Sequence, residues 1–219
     1  MKPFEKWHIQ EVETTFGLKK VKKLPLLDEW LAANEPISAF EKEWIERMRL
    51  DIEDKAQFWN EDELKFQFIS PYLKVFNFEK TDFYTSFSQR VIAAKVKDVH
   101  GNEDILRGRI EWFVAKGKQI PLHPIFFIHE YKPALRSNPS DPLGQLMAAM
   151  YASQVLNADD RPLYGIYVVG EYWYFVVLNG AIYAQSRGFD MTQAKQIEQV
   201  TMILKRTKVY IEDILGGVA

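Results

Sequence analysis

Hydrophobic residues recur along this chain at two spacings, and the change between them divides it into helical and extended parts. Over 26–33, and again through Phe40, Trp44, Ile45, Met48 and Ile52, apolar residues fall three and four apart, the spacing of one helical face. Pro25 suits the first turn of the earlier segment. Ser38, with Glu41 three residues on, forms a capping box that opens the later one. Asn60 and Glu63 repeat that pattern ahead of Leu64, Phe68, Tyr72 and Phe76, and Pro71 predicts a kink in this third helix. From 83 to 96 the spacing falls to two and predicts a strand; two more are predicted over 105–115 and up to Lys132. A turn at His100-Gly101-Asn102 and a connection beginning at Gly117 separate them.

Asp141-Pro142 then reads as an N-cap followed by the first residue of a helix running to about 156. Strands are predicted over 163–170, 172–178 and 182–186, the last two joined by the hairpin dipeptide Asn179-Gly180. A final helix over 192–215 carries Ile197, Val200, Ile203, Leu204, Ile211 and Leu215 on one stripe. No element is predicted for residues 1–24, where Lys19, Lys20, Lys22 and Lys23 read as a solvated basic face. The pattern gives a helical preface over 1–59, packed on a main domain over 60–219.

At 219 residues and 47% hydrophobic, the chain is long enough to bury one sizeable core. It has no apolar run long enough to predict a membrane span, and its first residues lack the apolar segment of a signal peptide. Cysteine is absent, which removes disulfides, thiolate zinc sites and a cysteine nucleophile. A cytoplasmic protein is the expectation. The 28 basic and 30 acidic residues give a net charge of −2, so the molecule as a whole carries no electrostatic footprint for nucleic acid. Locally the balance differs. From 105 to 136 the basic residues are Arg107, Arg109, Lys116, Lys118, Lys132 and Arg136, and the only acids are Glu111 and Glu130.

Those two acids are the informative ones. Glu111 interrupts the greasy run Ile110–Trp112, and Ile125-Phe126-Phe127-Ile128 ends on Glu130-Tyr131-Lys132. Ionised side chains are seldom buried without partners. Residues two apart on a strand share a face, so Glu130 and Lys132 project together. With Glu111 on a neighbouring strand, two carboxylates and an ammonium occupy one small volume, the make-up of a divalent-cation site with a basic group beside it. His8, His100 and His123 form no metal-ligand spacing, and His129 falls on the opposite strand face. Walker, Rossmann and G-x-S-x-G patterns are absent. The aromatic run Tyr164, Tyr167, Tyr172, Trp173, Tyr174 and Phe175 reads as core or a dimer face, with base stacking as the other use.

An acid on one strand followed by acid-x-Lys on the next, here Glu111 and Glu130-Tyr131-Lys132, resembles the signature of the PD-(D/E)xK nuclease superfamily. The order of predicted elements over about 60–170 resembles it too. The resemblance implies an α/β, restriction-endonuclease-like αβββαβ core with a mixed central sheet, here with extra C-terminal strands and a helix. It further implies hydrolysis of DNA phosphodiester bonds, with RNA also possible. Mg²⁺ or Mn²⁺ would be held by Glu111, Glu130 and the Tyr131 carbonyl. Lys132 would activate water, Gln145 would position the water or a phosphate, and Glu63, or else Glu61, would reach the site from the first core helix. The first-strand acid in the superfamily is usually Asp. Glu111 moves the carboxylate by about 1 Å, a displacement to which catalytic geometry is sensitive. The other function class is a non-catalytic module of the same fold that binds nucleic acid or protein. An unpaired strand within 163–186 would also allow a homodimer.

Overall fold

A computed structural model describes residues 2–80, 83–132 and 141–216. Arg136, counted above in the basic stretch, lies outside the described residues. The chain forms a mixed α/β structure around one central mixed sheet. A 3₁₀ turn (Phe4–Lys6), α1 (Ile9–Phe16) and the two-residue strand β1 (Lys19–Lys20) fill the segment for which the hydrophobic pattern predicts nothing. Then come α2 (Pro25–Leu31), α3 (Ala39–Lys55) and α4 (Glu61–Leu64), which runs through a π-helical turn (Lys65–Ile69) into α5 (Ser70–Lys74). Three long strands follow, β2 (Tyr84–Lys97), β3 (Glu103–Lys116) and β4 (Leu122–Lys132), then α6 (Pro142–Asn157) and β5 (Leu163–Val169). The chain closes with β6 (Tyr172–Asn179), β7 (Ile182–Gln185), β8 (Phe189–Asp190) and α7 (Ala194–Gly216).

The strands lie in the order β1-β7-β6-β5-β4-β3-β2, with β8 also paired to β6. β2, β3 and β4 form an antiparallel meander, as their short connections require. β5 lies parallel to β4, so the chain must cross over between them, and α6 is that crossover. β5, β6 and β7 are each flanked by strands on both sides. The unpaired strand expected within 163–186 is therefore not there to join a second copy. Its aromatics are also interior: Trp173 and Phe175 are fully buried, and Tyr172, 40% exposed, is the exception among large side chains.

Helices cover both faces of the sheet. On one, Trp30 of α2 stands edge-on to Phe127, Tyr164 and Phe175, in a core shared with α3, α5 and α7. On the other, Phe4, Trp7 and Val12 join Phe113, Ile110 and the α6 residues Leu146, Met147 and Met150. The first 59 residues thus supply side chains to both cores. The helix predicted to kink at Pro71 carries a π-helical turn just before that residue. Proline has no N–H to give the carbonyl four residues back, and widening the preceding turn is one way a helix accommodates such a gap.

The N-terminal segment is tied to α6 by close packing. Asp141 caps α6 by accepting from Gly144 N at 2.9 Å, and its other carboxylate oxygen accepts from Ile9 N at 2.7 Å. Only glycine fits at 144, because a Cβ would stand 2.4 Å from the Trp7 carbonyl oxygen and 2.7 Å from Ile9 N. Gly144→Ala should therefore cost about 1–3 kcal/mol and lower the melting temperature by several degrees, read from thermal melts. An unchanged midpoint would show that the segment is not clamped there.

Candidate active site

The end of the β3–β4 ladder builds the site. Trp112 pairs with His129 in antiparallel register, so one step further Glu111 stands across from Glu130. Alternation along β4 then sends Glu130 and Lys132 to the α6 side. His129 and Tyr131 point the opposite way, into the core that holds Trp173.

Glu130 is 1% exposed. Its Oε2 accepts a hydrogen bond from Gln145 Nε2 of α6 at 2.7 Å, while Oε1 is buried with no hydrogen-bond partner. Burial, and then the charge of Glu111, push its carboxyl well above the ordinary carboxylate range; Lys132 pulls in the other direction without offsetting them. Glu111 is only partly buried. It accepts from Gln89 Nε2 of β2, and Lys65 Nζ, from the first residue of the π-helical turn, lies 3.8 Å from its Oε2. The same ammonium sits 5.5 Å over the Tyr131 ring. The Tyr131 phenol is held far above its usual pKa, first by burial and then by the neighbouring Glu111 charge.

Lys132 Nζ lies 3.3 Å from Glu61 Oε2. Glu63 is placed elsewhere: its carboxylate accepts from Asn60 N at 2.8 Å while its own N–H donates to Asn60 Oδ1 at 2.9 Å. The third helical position in such a box turns back onto the cap, so the acid that reaches the site from this helix is Glu61. Lys65 follows Glu61 by four residues, one helical turn along the same face, and that spacing is a signal the sequence does contain.

Glu111, Lys132 and Gln145 line a cleft of about 600 Å³ together with Gln89, Arg107 and Arg109, and the N-terminal Pro3 and Glu5 form its rim. Gln89 carries no signal in sequence. It has φ of 55°, a left-handed value for a non-glycine residue inside a long strand. It and Glu111 form the one position skipped in an otherwise continuous β2–β3 pairing from Tyr84 to Lys97. Both strands change face there. Phe87, Phe113 and Ala115 share a core with Ile92, Ala94, Leu106 and Ile110, odd positions on one side of the break and even positions on the other.

Among the described residues, no group of three or more His, Cys, Asp or Glu side chains is placed to hold a metal ion. The acids that the site does bring together are Glu111 and Glu130, close enough for the charge of one to raise the pKa of the other.

His129, directly behind Glu130, is fully buried with neither ring nitrogen hydrogen-bonded, its ring 5.1 Å from that of Trp173. Burial lowers its pKa from 6.5 to about 3. The unfolded chain thus takes up this proton first as the pH falls. The stabilising contribution of a neutral His129 is present above pH 6.5 and lost progressively between 6.5 and about 3. His129→Phe, which cannot titrate, should flatten acid destabilisation across that window in melts taken from pH 7 to 4. An identical slope in both proteins would show that His129 titrates normally.

Among the described residues, no helix is long and apolar enough to cross a membrane. Compared with known proteins, the chain matches no protein-family model and no curated protein.

Proposed function

We propose that the protein is a divalent-metal-dependent nuclease that hydrolyses phosphodiester bonds of DNA, with the restriction-endonuclease-like core that its helix, three-strand meander, helix and parallel strand resemble. One observation carries this reading. Glu130 is buried with one oxygen unpartnered, across from Glu111, which lines a cleft together with Lys132, Arg107 and Arg109. A buried acceptor without a partner is costly, and two facing carboxylates repel. A cation between them relieves both, so these residues fit Mg²⁺ or Mn²⁺, with Glu111, Glu130 and the Tyr131 carbonyl as its ligands.

When bound, such a cation neutralises charge on the attacked phosphate and acidifies a water near neutral pH. The chain's own groups do the rest. Gln145 fixes the Glu130 carboxylate from α6. Lys132, paired with Glu61 at 3.3 Å, orients the attacking water and steadies the negative charge that builds on the phosphoryl oxygens. Arg107 and Arg109, both exposed on the cleft strand, grip flanking phosphates. The water oxygen bonds to phosphorus as the bond from phosphorus to the ester oxygen breaks; the water gives up a proton to solvent, and the departing oxygen takes one from solvent to leave as a hydroxyl.

Incubation of the purified protein with plasmid, single-stranded DNA and RNA in Mg²⁺ or Mn²⁺, against EDTA, tests this reading. Metal-dependent cutting of DNA supports it. Binding without cutting in any metal would favour the non-catalytic module.

A further inference from the structure

Each carboxylate of the proposed metal pair has an amide partner, and the two amides arrive differently. Gln145 comes to Glu130 from an ordinary helix. Gln89 comes to Glu111 from a strand that must be distorted to deliver it. The distortion is local: φ of 55° at Gln89, one skipped pairing opposite Glu111, and unbroken register on either side. A left-handed non-glycine residue persists in a strand only when its surroundings hold it there, and such residues gather at functional sites. Packing does not require a glutamine here. Gln89 lines the cleft, and its polar contacts are Glu111 Oε2, to which its amide donates, and Arg109, whose guanidinium donates to its Oε1 at 3.4 Å.

We infer that Gln89 is a positioning residue for the metal site, and that the break it creates in β2 sets the longer Glu111 side chain where it can share a cation with Glu130. The inference rests on the metal-dependent reading above and extends it to a residue on a third strand. The amide engages Oε2 of Glu111, as the amide of Gln145 engages Oε2 of Glu130. Arg109 in turn holds the amide oxygen, so that Nε2 rather than Oε1 faces the carboxylate. The Glu in place of the usual Asp is thereby matched by a shift of the strand beside it.

Two substitutions separate the side chain from the backbone. Gln89→Met keeps the length and the backbone conformation and removes the donor. Gln89→Gly removes the side chain and relieves the left-handed strain. The readouts are the Mn²⁺ concentration giving half-maximal thermal shift, the same midpoint for cleavage, and the melting temperature in EDTA. Both variants should need about five- to tenfold more metal, a loss of about 1–1.4 kcal/mol. Cleavage should recover at saturating metal with substrate KM unchanged. In EDTA, Gln89→Gly should melt at or above the wild-type temperature, which a purely structural role does not permit. Wild-type metal midpoints in both variants would overturn the inference while leaving the nuclease reading intact. A wild type that neither binds nor responds to metal would overturn both.

Discussion

Replacing Lys132 with alanine should lower the rate of DNA cleavage by about 10²–10⁴-fold, the range expected when a positioned group that handles the reacting water is lost. The fold should survive. The Lys132–Glu61 pair lies at the cleft wall with Glu61 well exposed, and pairs of that kind contribute about 0–1 kcal/mol. The circular dichroism spectrum and melting temperature should therefore stay close to wild type while turnover disappears. Lys132→Arg keeps the charge but not the compact ammonium, and should recover little. A Lys132→Ala protein that cuts at the wild-type rate would place the activity elsewhere.

Glu130→Gln should move stability and metal response in opposite directions. In EDTA the buried carboxylate has an oxygen without a partner and faces Glu111, so removing its charge should stabilise the protein by on the order of 1 kcal/mol. The pH dependence follows from the raised pKa. The folded state holds this proton more tightly than the unfolded chain, whose carboxyl titrates near 4.5. Its stabilising contribution is complete below 4.5 and is lost as pH rises through the higher folded value, so the advantage of the glutamine should grow with pH. With metal the order reverses. Mg²⁺ at about ten times its Kd adds about 1.4 kcal/mol to a protein that binds it only when folded, raising the wild-type melting temperature by about 3–6 °C. Glu130→Gln should lose most of that rise. Melts at pH 6 and 8, with EDTA and with Mg²⁺, measure both effects. Equal metal shifts in the two proteins would remove Glu130 from the site.

Much of the strand framework was legible because its signals are local. Alternation placed strands over 83–96 and 105–115; the structure shifts the first by one residue to Tyr84–Lys97 and extends the second to Glu103–Lys116. Asn179-Gly180 marked its hairpin, and Asp141-Pro142 marked the start of α6. Glu130 and Lys132 could be placed on one face by counting, and Glu111 stood out as an acid in an apolar run. What stayed hidden depends on contacts distant in sequence. The 3₁₀ turn at Phe4 packs over Gly108, where a Cβ would lie 2.3 Å from the ring, and nothing in the first ten residues points to that partner. Glu61 reaches the cleft only through Lys132, 71 residues on, although the Asn60–Glu63 capping box, itself legible in sequence, already turns Glu63 back onto the helix start. Gln89 is legible only through a backbone angle, which a single glutamine in a strand pattern does not reveal. The unpaired strand expected within 163–186 was misplaced for a similar reason. β1, two lysines far back in the chain, covers the β7 edge.

The most direct measurement is a titration of wild type, Glu130→Gln and Glu111→Gln with Mn²⁺, following free Mn²⁺ by electron paramagnetic resonance and cleavage of an end-labelled DNA in the same samples. The wild type should take up Mn²⁺ and cut in proportion to occupancy, and both glutamine variants should lose uptake and cutting together. Mn²⁺ bound equally by all three proteins, or cutting that persists in EDTA, would contradict the metal-dependent reading.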